Sequence, residues 1–240
     1  MSNDNRRIPT SCQNSIDPEV RLRNEYLIPI YICRDSGVSD KEYKAAIEGI
    51  MTIVKLSGQH RKIVSYGKES WSQGEYSSCD WYVNNAIHKG NQIDGDDISR
   101  KMIQEPWQEY PNTHLDVVVT SRDLFAQNLN WVFGVTFSNY ISVQSIYRFR
   151  NEKDEIKLGL ICRTLKHEVG HLLGIPGPVG SHPRIYDKGG PHCSNICLMR
   201  QGWSLVEFKE QMLEEKRLGI ELCSDCIREL KIQQTLKPIK

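Results

Sequence analysis

Residues 167–171 read His-Glu-Val-Gly-His, and this pentad constrains the chain more than any other feature of its sequence. On a helix, residues four apart lie about 40° apart around the axis and about 6 Å apart along it. The imidazoles of His167 and His171 then point the same way and can bind one zinc ion at about 2.0–2.1 Å. Glu168 lies beside that ion, where a carboxylate can take a proton from a water. The alternative is that the pentad arose by chance on an amphipathic helix and binds no metal.

The residues around the pentad favour the metal site over the chance pentad. The preceding segment, Leu-Gly-Leu-Ile-Cys-Arg-Thr-Leu, is strongly apolar, so we predict a buried helix over residues 156–173. Gly174 follows this helix, as expected where a helix ends and the chain turns back. The two histidines should therefore face an interior site.

The cysteines are unevenly distributed along the chain. Four of the eight crowd into its last quarter: Cys193, Cys197, Cys223 and Cys226. Two close pairs of thiolates suit a closed, tetrahedral structural zinc site. A redox pair at Cys223 and Cys226 would need a thioredoxin-like setting, which the surrounding sequence does not indicate. Two disulfides are disfavoured, because the polar N-terminal residues lack the apolar core of a signal peptide and predict a reducing, cytoplasmic compartment.

The remaining cysteines and the other histidines are scattered, and we expect no site from them. The cysteines should be free thiols, and the histidines should lie on the surface. They are Cys12, Cys33, Cys79 and Cys162, with His60, His88 and His114.

Length and composition correspond to one large globular domain of 240 residues and 27.7 kDa. Apolar residues make up 39% and charged residues 25%, which excludes a disordered or fibrous chain. A formal net charge of +1 indicates no basic surface for nucleic acid or an anionic membrane. We expect a monomeric single domain over 1–240, with an N-terminal α/β part (1–174) and a C-terminal part (175–240).

Strands that mostly alternate with helices predict an α/β fold whose sheet has one antiparallel strand. The central strand is predicted at 115–120, because buried parallel strands are continuously apolar. Residues 39–56 predict a helix with Ser39 and Glu42 as a capping box and Gly58 after its end. The other predicted elements are strands at 26–33 and 61–66, helices at 80–89 and 95–105, and a hairpin of strands at 131–137 and 140–147.

The pentad and the cysteines together resemble the metzincin metalloproteases, and within them the archaemetzincins. That family's pattern has the pentad and a glycine, a third zinc histidine followed directly by a cysteine, a C-x-M motif and a distant C-x-x-C. The matching residues are His167, Glu168, His171, Gly174, His192, Cys193, Cys197, Met199, Cys223 and Cys226. The resemblance implies a metzincin-like twisted mixed sheet with one antiparallel edge strand, a long active-site helix and a mostly helical C-terminal subdomain.

The resemblance also implies two zinc ions per chain, one catalytic and one structural. His192 would complete the catalytic zinc site of His167 and His171, and the four clustered cysteines would hold the structural zinc. Met199 would be the Met-turn residue, which forms an apolar floor beneath the catalytic zinc.

The stretch before His192 departs from the family pattern. The family's third histidine follows the glycine by three residues, but Gly177 occupies that position, so His192 implies about fifteen inserted residues. Eight of residues 175–191 are Gly or Pro, which suits a turn-rich loop. Closing the longer loop costs roughly 2 kcal/mol, against about 10–16 kcal/mol gained from zinc in structural sites. His182 and Asp187 are alternative third ligands in the same loop.

By this resemblance we expect a zinc metallopeptidase that hydrolyses peptides or proteins, with Glu168 as the general base on a zinc-activated water. The edge strand at 131–137 would pair with an extended substrate. No tyrosine follows Met199, which leaves Tyr186 in the inserted loop as a weak candidate for the oxyanion partner. The alternative is a non-enzymatic or latent zinc-stapled protein-binding domain whose 175–191 loop covers the metal. A purely structural site, however, has no use for a general base.

Overall fold

The structure, a computed structural model, describes residues 27–59, 61–70, 78–104, 114–126, 129–137, 140–177, 184–187 and 189–235. The strands are β1 (Ile30–Arg34), β2 (Ile63–Gly67), β3 (His88–Lys89), β4 (Gln92–Asp94), β5 (Leu115–Thr120), β6 (Asp123–Ala126), β7 (Leu129–Val132), β8 (Gly134–Phe137), β9 (Ile141–Ser145), β10 (Arg184–Asp187) and β11 (Gly190–Cys193). The helices are α1 (Asp40–Ser57), α2 (Cys79–Asn84), α3 (Gly95–Gln104), α4 (Asp154–Leu172), α5 (Leu205–Leu218) and α6 (Ser224–Thr235). Within the described ranges, no helix combines the length and apolar character needed to cross a membrane.

The main sheet has five strands in the order β2-β1-β5-β9-β8. The first four are parallel to one another, and β8 runs antiparallel to β9 at the edge. β5 lies at the centre, and all six of its residues are buried, as its continuous apolar run predicts. The predicted α/β fold with one antiparallel edge strand is therefore confirmed.

Helices cover both faces of this sheet. Ile32 and Val117 belong to the core that packs against α1 and α4. Their chain neighbours Cys33 and Val118 belong to the core that packs against α2 and α3. Successive side chains of a strand point to opposite faces, so buried strands such as β5 supply both cores of a three-layer arrangement.

α1 forms where the capping signals predict it. The Glu42 carboxylate accepts from the Ser39 amide at 2.9 Å, and Ser39 Oγ accepts in return from the Glu42 amide. Gly58 ends the helix with a φ of 71°. α1 packs closely on α4, because a Cβ at Gly49 would lie 2.6 Å from the carbonyl oxygen of Cys162. This contact holds the histidine-bearing helix in the core.

Two predicted elements are wrong. Residues 131–137 do not form one strand: β7 joins a second sheet, of order β3-β4-β6-β7, and only β8 joins the main sheet. The chain changes sheets at Phe133, whose ring is buried and stacks on Phe149 at 5.1 Å and on Phe208 at 4.8 Å. The helix predicted at 80–89 ends at Asn84, and β3 and β4 form a hairpin around Gly90, whose φ is 62°.

After β11, the described C-terminal part contains the helices α5 and α6. A buried polar contact joins it to α4. The Arg163 guanidinium on α4 donates to the Glu215 carboxylate on α5 at 2.7 and 2.9 Å, and to Gln211 at 3.0 Å. It also lies 4.2 Å from the centre of the Phe208 ring. These contacts fix α5 against the helix that carries the pentad.

Candidate metal centre and active site

Three histidines converge near the C-terminal end of α4. His167 and His171 lie on that helix, and His192 lies on β11. Their ligand nitrogens lie within 4.8 Å of one another, and Nε2 of His167 is 3.1 Å from Nε2 of His171. Two nitrogens bound to one tetrahedral zinc at about 2.0–2.1 Å would lie about 3.3–3.4 Å apart. The spacing therefore fits a shared metal ion.

Backbone groups orient these rings. His167 donates from Nδ1 to the carbonyl of Leu198 at 2.8 Å, and His192 from Nδ1 to the carbonyl of Gly190 at 3.1 Å. His171 forms a hydrogen bond with the backbone of Ile175. Since a carbonyl only accepts, the proton of His167 and of His192 lies on Nδ1. Nε2 then keeps its lone pair for a metal.

Burial keeps the rings of His167 and His171 neutral. Burial, with further effects of His171 and His192, holds the pKa of His167 well below its usual value. The pKa of His171 falls to about 3, chiefly because of burial and secondly because of His192. Neutral imidazoles are the form that binds metals. The two Nε2 lone pairs that face each other across 3.1 Å repel unless a cation lies between them, so the arrangement fits a bound zinc.

Glu168 is buried beside the edge strand β8. Thr136 Oγ1 donates to Glu168 Oε2 at 2.9 Å. Gly134 leaves the space that the carboxylate occupies, because a Cβ there would lie 2.7 Å from Glu168 Cδ. Burial raises the pKa of Glu168 to about 7, and the hydrogen bond from Thr136 opposes this shift. A cation at the histidines would act in the same direction as Thr136 and lower the pKa of Glu168. The carboxylate can therefore accept a proton near neutral pH.

Met199 lies fully buried against the helix that carries the histidines. A Cβ at Gly170, inside the pentad, would lie 2.6 Å from Met199 Sδ, so the glycine lets the methionine reach the helix. The carbonyl of the preceding residue, Leu198, accepts from His167. The carbonyl of Met199 accepts from the amide of Cys193 at 2.9 Å. Met199 thus lies against the pentad, next to the backbone acceptor of His167.

The four clustered cysteines also converge. Their sulfurs lie within 4.8 Å of one another, and Sγ of Cys193 is 3.7 Å from Sγ of Cys223. Two sulfurs bound to a tetrahedral zinc at about 2.3 Å lie about 3.7–3.8 Å apart, whereas a disulfide bond measures about 2.05 Å. All four cysteines are free thiols, so the structure does not contain the two disulfides considered as an alternative.

The chemistry of the four sulfurs fits a closed zinc site. The Cys223 amide donates to Sγ of Cys197 at 3.3 Å, and Asn195 Nδ2 donates to Sγ of Cys223 at 3.6 Å. Hydrogen bonds from Cys197 and Cys226 lower the pKa of Cys193 to about 5. Their contacts with that sulfur in turn raise the pKa values of Cys197 and Cys226. Four adjacent thiols cannot all ionise unless a cation lies among them.

The stretch between Gly174 and His192 contains a hairpin of β10 and β11. Its base is tied to α6 by the buried carboxylate of Glu229, which accepts from the Gly177 amide at 2.9 Å and from the Arg184 guanidinium. Arg184 lies on β10, directly across the hairpin from Cys193. The strand that carries His192 is therefore held from two sides, by the ion pair to α6 and by the cysteine cluster.

Of the three residues predicted as third ligands, His192 is the one whose side chain the structure describes, and it lies in the histidine cluster. His182 lies outside the described residues, and of Asp187 only the backbone is described. Ile185 is paired with His192 across the hairpin, so Tyr186 lies on the opposite face. Tyr186 is 70% exposed. The hairpin therefore does not place Tyr186 beside the histidines as an oxyanion partner.

The comparison with known families agrees with this geometry. Residues 112–232, half of the chain, match the sequence profile of Peptidase family M54. The chain belongs to peptidase family M54. The matched residues include β8, α4, all three histidines and the four clustered cysteines.

The M54 chain is similar to archaeal relatives in sequence and in fold. It is 25% identical to archaemetzincin from Archaeoglobus fulgidus over 122 residues, which are 50% of this chain and 62% of that relative. The matched segment is thus less than two thirds of that relative's length. The crystal structure of archaemetzincin from Methanopyrus kandleri aligns with a TM-score of 0.58 at 18% identity, over 87% of this chain and 96% of that one. A zinc-dependent peptidase from Methanocorpusculum labreanum aligns with a TM-score of 0.56 at 17% identity, over 84% and 99%. These likenesses confirm the archaemetzincin-type fold.

Sequence reasoning missed two residues of this M54 site, Thr136 and Gly134. Both lie in the predicted edge strand, but their contacts with Glu168 cross 32 residues or more of sequence, and no local pattern signals them. The surface position predicted for His114 is wrong. The ring is fully buried, 3.4 Å from the Asp116 carboxylate and stacked 4.3 Å from the Tyr31 ring.

The other scattered residues follow the predictions where they are described. His88 is exposed, and Cys33, Cys79 and Cys162 are free thiols. His60 and Cys12 lie outside the described residues.

Proposed function

We propose that this M54 chain is a zinc-dependent peptidase that hydrolyses peptide bonds in peptide or protein substrates. The observation that carries the proposal is a buried carboxylate, Glu168, which lies on the same helix as His167 and His171 and 2.9 Å from the Thr136 hydroxyl. A site that only stabilised the fold would have no need of such a group. The similarity to an archaemetzincin and to a zinc-dependent peptidase supports the same function.

His167, His171 and His192 would hold the catalytic zinc through Nε2. When bound there, zinc would act as a Lewis acid toward a peptide carbonyl and a water. The Nδ1–H groups of His167 and His192 donate to backbone carbonyls. These hydrogen bonds fix the ring planes before the metal binds.

Glu168 would move the proton during hydrolysis. Its carboxylate takes a proton from the attacking water while the water oxygen forms a bond to the substrate carbonyl carbon. The same proton then passes to the leaving nitrogen as the carbon–nitrogen bond breaks. The products are a carboxylic acid and an amine, and Glu168 returns to its starting form.

The substrate backbone would pair with β8, which lies at the edge of the main sheet. An extended peptide can add to a sheet edge through main-chain hydrogen bonds. Gly134 and Thr136 of this strand lie against the Glu168 carboxylate. Pairing at β8 would therefore bring the substrate to the general base.

The second zinc would be structural, held by Cys193, Cys197, Cys223 and Cys226. A closed set of four thiolates leaves no position for water. We propose one catalytic domain over 1–240, acting as a monomer, in which this site joins the C-terminal part to the strand of His192.

The substitution Glu168→Gln tests the function, because the amide keeps the shape but cannot accept the proton. We expect the variant to keep its zinc and its thermal unfolding midpoint, and to lose about 10²–10⁴-fold in kcat on a peptide library. Glu210→Gln, an exposed glutamate on α5, is the matched control and should cleave like the wild type. A zinc-loaded wild type that cleaves nothing while its 175–191 segment binds a protein would support the non-enzymatic alternative instead.

A further inference from the structure

A line of buried polar side chains runs beneath Glu168, on the face of the main sheet that packs against α4. Gln144 Nε2 donates to Ser142 Oγ at 2.6 Å, and Ser142 Oγ lies 2.8 Å from Thr136 Oγ1. Thr136 Oγ1 in turn lies 2.9 Å from Glu168 Oε2. Ser142 and Gln144 are completely buried. Apolar residues would cover α4 without the cost of desolvating an amide and two hydroxyls, so packing alone does not account for this line.

The chemistry of the donors sets the direction of the hydrogen bonds. An amide nitrogen only donates, so the Ser142 hydroxyl accepts from Gln144. The one hydrogen of Ser142 has two acceptors within reach, Thr136 Oγ1 at 2.8 Å and the Val135 carbonyl at 3.4 Å, and the shorter contact favours Thr136. The Thr136 hydrogen is then available for the Glu168 carboxylate. Hydrogen bonds in series polarise one another, and a bond to an ionised carboxylate is stronger than a neutral one. The line therefore ends in a strong donor aimed at the general base.

The same hydroxyl contacts Glu168 at two places. Thr136 Oγ1 lies 3.1 Å from the main-chain carbonyl oxygen of Glu168 as well as 2.9 Å from Oε2. The other carboxylate oxygen, Oε1, lies over Gly134, where a Cβ would come within 2.8 Å of it. One oxygen is thus held by a donor, and the other occupies space that a larger residue would fill. Both carboxylate oxygens of Glu168 therefore lie against β8.

We infer that Thr136 is a positioning residue for Glu168, and that Ser142 and Gln144 orient its hydroxyl. This inference rests on the proposed function, in which Glu168 moves the proton. A base that is already in place when the substrate arrives needs no search among rotamers, and catalytic groups require placement within about 0.5 Å. Thr136 acts through Glu168 and does not itself touch the reacting atoms.

Kinetic comparison of three variants separates positioning from a general loss of stability. Thr136→Val keeps the side-chain shape without the hydroxyl, and Thr136→Ser keeps the hydroxyl. Thr164→Val is the control, because Thr164 is a buried threonine on α4 whose hydroxyl donates to the Leu160 carbonyl of the same helix. We expect Thr136→Val to lower kcat roughly 10–100-fold with KM nearly unchanged. Thr136→Ser should stay within about threefold of the wild type, and Thr164→Val should not differ from it.

Crystal structures of the zinc-loaded wild type and the same variants supply a readout that does not depend on activity. Glu168 should occupy one rotamer in the wild type and in Thr136→Ser, and several rotamers in Thr136→Val. The inference is overturned if Thr136→Val leaves both kcat and the Glu168 rotamer unchanged, or if Thr136→Ser loses as much as Thr136→Val. A wild type that cleaves no peptide contradicts the proposed function alone, since the rotamers of Glu168 still decide the role of Thr136.

Discussion

The backbone amide of Cys193 donates to the carbonyl of Met199 across 2.9 Å. Cys193 belongs to the cysteine cluster and directly follows His192, while Met199 packs on the pentad helix next to Leu198, the acceptor for His167. The hydrogen bond therefore joins two backbone segments, and each of them contacts or carries residues of the histidine cluster. A change at the cysteines should reach the histidines through it.

The first prediction concerns metal content. The wild type should contain two zinc ions per chain, and the one held by four thiolates should be much harder to remove with a chelator. Cys223→Ser should lower the content to one or fewer and lower Tm by about 10 °C or more, because structural zinc contributes to folding. Elemental analysis and calorimetry measure both. Cys162→Ser, outside the cluster, is the control and should keep both ions; a zinc content that Cys223→Ser leaves unchanged would remove the structural site.

The second prediction is that His192 is the third catalytic ligand. His192→Ala should lose one zinc ion and peptide hydrolysis. His182→Ala and Asp187→Ala should keep both zinc ions and should hydrolyse peptides. The reason is that Cys193 and the Arg184–Glu229 ion pair hold the strand of His192 in place, which lowers the entropy lost on binding. Zinc analysis of the variants tests this, together with a crystal structure in which His192 lies about 2.0–2.1 Å from the metal. Loss of zinc on changing His182 or Asp187 instead would show that another ligand completes the site.

The third prediction concerns the space beside the general base. The methyl group of Gly134→Ala would lie 2.7–2.8 Å from the Glu168 carboxylate, which must move. Since that carboxylate is the end of a flexible side chain, the fold and both zinc ions should be kept while kcat falls at least about tenfold. Gly159→Ala is the control: its Cβ also meets only a flexible side chain, Met212, at 3.0 Å, far from the carboxylate. Equal kcat for Gly134→Ala and the wild type would contradict this account.

The fourth prediction concerns the pH dependence of stability. Burial raises the pKa of Asp116 to about 6, although His114 opposes the shift. A carboxyl whose pKa is raised on folding stabilises the protein below its unfolded pKa, and this stability is lost as the pH rises through the folded pKa. Relative to Asp116→Asn, the wild type should lose about 1.5 kcal/mol of unfolding free energy between pH 5 and pH 7.5, out of roughly 3 kcal/mol in all. Urea unfolding of both proteins at each pH measures the difference in unfolding free energy. A difference that does not change with pH would refute the raised pKa of Asp116.

Much of the fold could be predicted because its signals are local. The Ser39–Glu42 capping box and Gly58 specify α1 from residues a few positions apart, and the apolar run of β5 specifies a central strand. The split of 131–137 between two sheets could not be predicted. It depends on the rings of Phe149 and Phe208, which lie in other parts of the chain and stack on the Phe133 ring in the fold.

The sequence by itself determined the donor sets of the candidate site. Histidines four residues apart on a helix share one face whatever surrounds the helix, and residue type alone makes imidazole and thiolate zinc ligands. Only the tertiary structure decided that His192 joins His167 and His171, and that Thr136 reaches Glu168. Such contacts depend on strand register and on the packing of α4 against the sheet. Neither property is encoded by the spacing of residues along the chain, because packing brings together groups that the backbone keeps far apart.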